Sequence, residues 1–438
     1  MKRIDKIFYG MGRFGSTTLL SVVSLATFYI YLTKYGLDPW LNGIANGIGK
    51  LIIAFSGFFI GYLSDKTIHP RLGRRKPFII SGAIALAISF IMLFIPEFFI
   101  PLDDQILVFI YETVWNGSFQ FFYGYLLTPY QAWLPEITWP EERVEVSGYE
   151  NTFNVLGNIV GIVGSFALPV VIEQGGLLLF QVVVLFGIIE ILFYLPAYIR
   201  IQEPKKYIKQ PNLIRETLIA LKNKNYVTWL IAQGFMSIGL TILITIVLTY
   251  IETILHLTGI LYLAFGGELL VVVVTFFLVW NKLSKRWKIK RTMNISLAIL
   301  ILSLPLTWFI GQYPMPLPTQ TMGFILIALA ASGLSGYWLF PYVIIAHIVE
   351  ADEIITGESR AGMYTGFNSI PLNFFQATAY VITGYVVGLP NMLGYYLWGP
   401  VCSIFILIGL LIFQFVQTDF DFERLREIYK RPVAYEEE

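Results

Sequence analysis

Cysteine, histidine and charge are scarce in this 438-residue chain. The lone cysteine, Cys402, excludes an intramolecular disulfide, a CxxC redox pair and a cysteine-rich zinc site. The three histidines lie far apart in the sequence, which argues against a histidine metal cluster, and we expect no metal and no cofactor. Lys and Arg (30) nearly balance Asp and Glu (29), so a net charge of +1 gives no basic field to attract nucleic acid.

Apolar residues are abundant in place of the missing charge. Charged residues make up 13% of the chain, about half the share of an ordinary soluble domain, while 56% are hydrophobic. The mean hydropathy is +0.68. This composition indicates a polytopic membrane protein embedded in a lipid bilayer and excludes a soluble enzyme.

Apolar runs long enough to cross a bilayer occur throughout the chain, since a spanning helix needs about 20 mostly apolar residues. Twelve spans are predicted, near 10–33, 43–63, 77–97, 106–131, 147–172, 177–200, 226–251, 257–281, 292–313, 319–346, 361–388 and 393–417. The predicted fold class is therefore an all-α membrane protein with 12 transmembrane helices.

The distribution of Lys and Arg predicts the orientation of these spans, because short cytoplasmic loops retain basic residues. With the N-terminus inside, all basic residues except Arg13, Lys34 and Lys50 fall in inner segments. We therefore expect a protein of the cell membrane with both termini in the cytoplasm.

The two halves of the chain resemble each other. Pro129-Tyr130 precedes an acidic loop and Arg143, and Pro341-Tyr342 precedes a similar loop and Arg360. The predicted domains are a six-helix bundle over 1–200, a cytoplasmic linker over 201–225, a second six-helix bundle over 226–417 and a cytoplasmic tail over 418–438. Two parallel six-helix repeats predict a transporter with its substrate site between the halves.

Four segments carry a more specific similarity: GYLSDKTIHPRLGRRKPFI (61–79), LPEITWPEER (134–143), GNIVG (157–161) and EADEIITGESRAGMYTGF (350–367). They resemble the major facilitator superfamily. More narrowly, they resemble its glycoside–pentoside–hexuronide:cation symporter family and the sucrose-transporter relatives of that family. The resemblance implies a secondary transporter that moves a sugar or glycoside by alternating access.

The same resemblance implies a charge lock after span 2. Asp65 closes that span, and Arg74 and Arg75 precede span 3 together with Arg71 and Lys76. A carboxylate among these cations can fasten the halves on the inner side, so we expect a gating role for Asp65, Arg74 and Arg75. The alternative is that the basic residues only set the topology.

The sequence also departs from the family. Sugar:cation symporters place carboxylates on helices 1, 2 and 4, and the corresponding positions here are Thr17, Ile53, Gly57 and Leu127. We therefore expect a proton rather than sodium as the coupling ion, and uniport stays open.

Ionisable residues inside the spans are candidate sites, because charge in hydrocarbon is costly. These residues are Arg13, Lys50, Glu112, Glu150, Glu190, Glu252 and Glu268. Glu112 and Glu268 are the predicted proton-coupling residues, since a carboxyl group removed from water binds a proton more readily. Arg13 or Lys50 could act as their charge partner, and Glu190 is the weaker candidate because helix 6 is usually peripheral in this fold.

Span 4 carries the strongest candidate for binding a sugar. Glu112, Asn116 and Gln120 recur at i, i+4 and i+8 and so share one helix face, with Trp115 beside them for stacking. Polar stripes on other spans complete the predicted substrate-binding set: Arg13, Thr17, Asn154, Asn158, Gln233, Trp338, Asn373 and Gln376. The alternative for such residues is hydrogen bonding between helices.

The sequence thus predicts proton-coupled symport of a sugar or glycoside. Three alternatives remain: a carrier of lysolipid or another amphipathic solute with the same fold, a non-transporting membrane sensor, and a membrane-bound enzyme. The enzyme would need clustered His, Asp or Cys residues, which the sequence lacks.

Overall fold

The computed structural model describes residues 1–67, 69, 72–203, 219–314, 316–358 and 360–429. In chain order the α-helices are α1 (Arg3–Thr33), α2 (Pro39–Lys66), α3 (Lys76–Leu93), α4 (Gln105–Ile137), α5 (Pro140–Glu173), α6 (Gly176–Arg200), α7 (Lys224–Thr253), α8 (Ile260–Trp287), α9 (Ile289–Ser303), α10 (Thr319–Leu339), α11 (Pro341–Thr356), α12 (Ala361–Val387), α13 (Gly394–Phe413) and α14 (Phe422–Tyr429). Short 3₁₀ helices occupy Pro96–Phe98 and Leu304–Trp308, and the described residues form no β-strand. The prediction of an all-α membrane fold is confirmed.

Long apolar helices correspond to the predicted spans. Eleven segments of the described chain are long and apolar enough to cross a membrane. The remaining predicted span lies in α4, a continuous 33-residue helix that is not among the eleven because polar side chains lower its hydropathy.

Side-chain caps and prolines set several helix ends. The Asp38 carboxylate accepts hydrogen bonds from the first backbone N–H groups of α2, and Asp104 does the same for α4. The predicted span at 319–346 is not one helix, because α10 ends at Leu339 and Pro341 begins α11. A proline has no N–H to continue the preceding helix but suits a first helical turn.

The chain divides into two compact units. Unit 1 comprises Met1–Ile208, Thr241–Gly267 and Gln376–Trp398, and unit 2 comprises Lys209–Leu240, Glu268–Phe375 and Gly399–Glu438. Unit 1 therefore includes two segments from the second half of the sequence, whereas the predicted domains divide the chain at the linker 201–225. The predicted domains stay a prediction. Residues 204–218 of the predicted linker and 430–438 of the predicted tail lie outside the described residues.

In unit 1, α1 packs against α5 and α6, α2 packs against α4, and α3 packs against α4 and α6. Glycines allow the closest approaches: a Cβ added to Gly161 of α5 would lie 2.7 Å from the carbonyl oxygen of Thr18 in α1. Hydroxyl–carbonyl bonds add to the packing, as where Tyr9 of α1 donates to the carbonyl of Tyr130 in α4 at 2.9 Å.

In unit 2, α9 packs against α10 and α11 packs against α14. The indole N–H of Trp280 in α8 donates to the carbonyl oxygen of Ser332 in α10 at 2.8 Å. Arg426 of α14 pairs with Glu350 of α11 at 2.9 Å.

Alanine at Gly43 is expected to destabilise unit 1. Its Cβ would lie 2.6 Å from the carbonyl oxygen of Tyr380 and 2.9 Å from the Cα of Gly384, both backbone atoms that cannot rotate away. Such overpacking costs about 1–3 kcal/mol. Thermal unfolding in detergent should show a clearly lower melting temperature for Gly43→Ala.

Gly61→Ala is the matched control on the same helix. Its Cβ would meet only a methyl group of Thr128 at 3.4 Å, an ordinary contact. Equal melting temperatures for the two variants would contradict the close packing of α2 on the end of α12.

Candidate functional site

The predicted stripe on α4 is buried and bonded to α2. The Glu112 side chain is fully buried, and its Oε1 atom accepts a hydrogen bond from Asn46 Nδ2 at 2.7 Å. Asn116 Nδ2 donates to Asn46 Oδ1 at 2.9 Å. Asn46 therefore joins the carboxyl group and the first amide of the stripe into one network, which fixes their orientation.

Several polar atoms of this stripe have no partner among the described residues. They are Glu112 Oε2, Asn116 Oδ1 and Gln120 Oε1, and each of these three side chains is at most 3% exposed. Trp115 on the same helix is half-buried. A buried acceptor without a hydrogen bond costs about 1–3 kcal/mol, so these oxygens favour a bound hydroxyl or water.

A second polar cluster joins α1 to α5. Arg13 pairs with Glu150 at 3.6 Å and donates to Asn154 Oδ1 at 3.4 Å, while the Thr17 hydroxyl donates to the same oxygen at 2.6 Å. Asn158 accepts from the Ser21 hydroxyl at 2.9 Å. The structure thus places four predicted substrate-binding residues in contacts between α1 and α5: Arg13, Thr17, Asn154 and Asn158.

Tyr123 extends the aromatic side of α4 next to the first cluster. It lies three residues after Gln120 on α4, close to the face that carries the first cluster. Arg13 Nη1 is buried and has no hydrogen-bond partner in the described chain. Unit 1 therefore holds an unpaired donor on α1 and a row of unpaired acceptors on α4.

The other predicted residues are dispersed. In unit 2, Gln233 is buried beside Tyr337, Trp338 is half-buried, and the Asn373 amide donates to the Ser369 carbonyl of its own helix at 2.8 Å. Glu268 in unit 2 is half-buried, and its Oε2 atom has no partner within the described residues. Gln376 is half-buried in unit 1. Their roles stay predictions.

The predicted gating residues form an ion cluster in unit 1. Arg75 Nη2 lies 2.6 Å from Asp65 Oδ1 and 2.8 Å from Glu136 Oε1, and Arg74 also pairs with Glu136. The backbone N–H groups of Arg74 and Arg75 donate to Glu203 at 2.7 and 2.8 Å. All these partners belong to unit 1, so fastening of the two halves stays a prediction.

Sequence reasoning missed Asn46, Glu136 and Glu203 as partners. Glu136 lies in the motif LPEITWPEER, which could have drawn attention to it. Asn46 follows Asn42 by one helical turn, so the two form a polar pair on one face of α2 that could also have been noticed. Glu203 offered no signal, because its contacts are with backbone N–H groups 128 and 129 residues away in the chain.

Glu190 lies in a separate polar contact between α6 and α1. It is fully buried on α6, and its Oε1 atom accepts a hydrogen bond from the Ser16 hydroxyl of α1 at 3.0 Å. Ser16 also lies 2.7 Å from the Tyr194 hydroxyl.

Across the described ranges, no group of three His, Cys, Asp or Glu residues is arranged to hold a metal ion.

Solved structures share the fold. A nucleoside transporter NupG variant superposes with a TM-score of 0.67 at 17% identity, covering 94% of this chain and 99% of the other. The xylose transporter XylE from E. coli gives a TM-score of 0.62 at 12% identity, covering 97% and 98%. At these identities the likeness concerns the architecture alone.

Several curated relatives are transporters. The isoprimeverose transporter of Lactiplantibacillus pentosus is 22% identical over 87% of this chain and 79% of its own length. A putative 2,3-dihydroxypropane-1-sulfonate exporter of Escherichia coli is 23% identical over 89% and 84%. A sodium-dependent lysophosphatidylcholine symporter of Mus musculus is 28% identical over 39% and 34%.

The family model described as MFS/sugar transport protein matches residues 8–399, nearly the whole chain. This match agrees with the helical architecture and with the long apolar helices. The chain belongs to the MFS/sugar transport protein family of the major facilitator superfamily and is a multi-pass membrane transporter, not an enzyme.

Proposed function

We propose that this protein moves a sugar or glycoside together with a proton by alternating access. The observation that carries the proposal is the row of buried, unpaired acceptors on α4, in the same unit as the unpaired Arg13 Nη1. Such a set of groups is what a polyhydroxylated ring needs in an otherwise apolar environment.

The chemistry of the site supports a sugar. Hydroxyl groups both donate and accept, so a sugar suits the unpaired acceptors Asn116 Oδ1 and Gln120 Oε1 as well as the unpaired donor Arg13 Nη1. The Trp115 side chain provides a flat surface for the apolar face of the ring. The isoprimeverose transporter among the relatives carries a sugar in its name, which supports the same substrate class.

Proton coupling is supported by the position of Glu112. Its carboxyl group is fully buried and bonded to a neutral amide rather than to a cation. A carboxyl group in such surroundings is suited to binding and releasing a proton as its access to water changes. The proposal includes a cell-membrane location with cytoplasmic termini, which rests on the distribution of Lys and Arg.

A lysolipid is the second candidate substrate. It is favoured by one observation, the 28% identity to the lysophosphatidylcholine symporter over 39% of this chain. That substrate would depend on apolar cavity walls and little on the amides of α4.

Gln120→Leu is expected to weaken sugar binding strongly. The substitution removes one buried acceptor and leaves a sugar hydroxyl unpaired, which should weaken binding roughly 10-fold or more. A thermal-shift screen of the purified protein against sugars, glycosides and lysophospholipids should show a sugar that stabilises Gln120→Leu clearly less than the wild type at the same concentration.

Gln131→Leu is the matched control, because Gln131 lies on the same helix and is exposed. It should retain the sugar response. Stabilisation by a lysophospholipid alone, preserved in both variants, would contradict the sugar proposal.

A further inference from the structure

A basic cavity lies where α8 meets α9 in unit 2. Its volume is about 530 Å³, and its lining includes four cationic side chains: Arg286, Lys288, Lys290 and Arg291. Among the described lining residues, Asp419 is the one that carries a negative charge. Four cations against one carboxylate favour an anion in this cavity.

Three of the four cations are free to bind a ligand. Lys290 donates from Nζ to the carbonyl oxygen of Gln414 at 2.6 Å, so it fastens the end of α13 to α9. Arg286, Lys288 and Arg291 form no ion pair within the residues that the structure describes. All three are exposed, so their N–H groups can donate to an anion that enters the cavity.

Lys288 occupies an unusual backbone conformation between the two helices. It follows directly after α8 and precedes α9, and it has a φ of 68° and a ψ of 156°. This region is populated almost only by glycine, and another residue there is strained. A lysine at a turn that suits glycine indicates a function for its side chain.

The cavity also has the aromatic residue that is typical of a membrane surface. Helix α8 is long and apolar enough to cross a membrane, and Trp287 is its last residue. Trp287 is 36% exposed, and the Arg291 guanidinium lies over its ring at 5.5 Å. Tryptophan at the end of a spanning helix typically lies at the level of the lipid headgroups. The cavity is therefore expected at that level.

An exposed apolar stripe on α13 ends beside the cavity. Asn294, which lines the cavity, exchanges two amide hydrogen bonds with Gln414 at 3.1 and 3.2 Å. Gln414 follows Leu411 by three residues, and Ile404, Leu407 and Leu411 are exposed on one face of α13. An acyl chain can follow this stripe while its headgroup lies in the cavity. This arrangement favours a phospholipid over a soluble phosphate.

We propose that the cavity binds the phosphate group of an anionic phospholipid, whose acyl chains lie along the exposed stripe of α13. Arg286, Lys288 and Arg291 donate charge-assisted hydrogen bonds to the phosphate oxygens. Basic cavities between membrane helices are suited to such headgroups. The site lies in unit 2 and includes none of the residues proposed to bind the sugar, so it is a second ligand site beyond the proposed function.

The test measures thermal unfolding of the delipidated full-length protein in detergent. The protein is titrated with phosphatidylglycerol, with phosphatidylcholine of the same acyl chains and with glycerol phosphate. The concentration for half-maximal stabilisation should be roughly 10-fold or more lower for phosphatidylglycerol than for phosphatidylcholine. Glycerol phosphate should not stabilise the protein at these concentrations. Stabilisation by glycerol phosphate equal to that by phosphatidylglycerol would overturn the lipid as the occupant.

Two double variants of equal charge separate the cavity from a general attraction between basic residues and anionic lipid. Arg286→Gln with Lys288→Gly should lose most of the preference for phosphatidylglycerol. Glycine suits the backbone at position 288, so the melting temperature without lipid should not fall. Lys282→Gln with Lys285→Gln is the matched control, because both lysines are exposed on α8 and do not line the cavity. The control should keep the preference of the wild type.

The outcomes are independent of the proposed function. If both double variants keep the preference, or if both lose it equally, binding in this cavity is overturned, because charge near the membrane then acts without a defined site. Stabilisation by a sugar should be unchanged in both double variants. Failure of this inference therefore leaves the sugar proposal standing, and failure of the sugar proposal leaves the lipid site standing.

Discussion

Replacing Glu112 with glutamine is expected to abolish sugar accumulation driven by a pH gradient. Glutamine keeps the shape of the side chain and can still accept a hydrogen bond from Asn46, but it cannot bind and release a proton. With one proton per sugar, the wild type should accumulate substrate about 10-fold for each unit of pH difference, because one unit equals about 1.4 kcal/mol. The variant should reach no more than equal concentrations inside and outside proteoliposomes.

Exchange without a gradient is the control for this prediction. The Glu112→Gln protein should still exchange labelled for unlabelled sugar, because the amides proposed to bind the ring are intact. Glu252→Gln is the matched control, because Glu252 is exposed near the end of α7. This variant should accumulate sugar as the wild type does. If Glu112→Gln and Glu268→Gln both accumulate sugar as the wild type does, proton coupling through these carboxyl groups is wrong.

Replacing Arg75 with methionine is expected to cause the largest loss of stability. Arg75 is fully buried and lies within 2.8 Å of both the Asp65 and Glu136 carboxylates, and the Glu136 side chain is itself only 6% exposed. Methionine fills much of the same space without charge, so two carboxylates lose a common cation. Removing one partner of a buried ion pair costs about 3–5 kcal/mol, because the other charge stays buried.

Thermal unfolding measures this effect against two comparisons. Arg200→Met removes an arginine paired with Asp5 at 2.6 Å, but the Arg200 side chain is half exposed, so the cost should stay below about 1 kcal/mol. Adding Glu136→Gln to Arg75→Met should recover part of the lost stability by removing the uncompensated charge. Equal melting temperatures for Arg75→Met and Arg200→Met would contradict the importance of the buried cluster.

The helical architecture was predictable because its causes are local. A run of about 20 apolar residues is stable in hydrocarbon only when its backbone hydrogen bonds close within the segment, which requires a helix. Composition therefore predicted the fold class, and the caps that the structure shows at Asp38 and Asp104 are also local contacts. The interruption of span 10 at Pro341 was not predicted, because the apolar run continues through it.

The candidate site was predictable in part. The face shared by Glu112, Asn116 and Gln120 follows from helical periodicity alone, and the structure places all three in the buried part of unit 1. That Asn46 joins two of them was not predictable, because the contact links residues 66 and 70 positions apart on separate helices. Periodicity gives the face of a helix but not which neighbour the face meets.

The sequence by itself determined that the chain is an all-helical membrane transporter. Hydropathy, charge distribution and motifs can be read from individual segments without knowing how the helices pack. Only the tertiary structure decided which buried polar groups find partners. It paired Arg13 with Glu150 and Arg75 with Asp65 and Glu136, and it left Lys50 without a partner in the described residues. The physical reason is that in hydrocarbon the energy of a polar side chain depends on what lies within hydrogen-bond distance, and helix packing sets those distances.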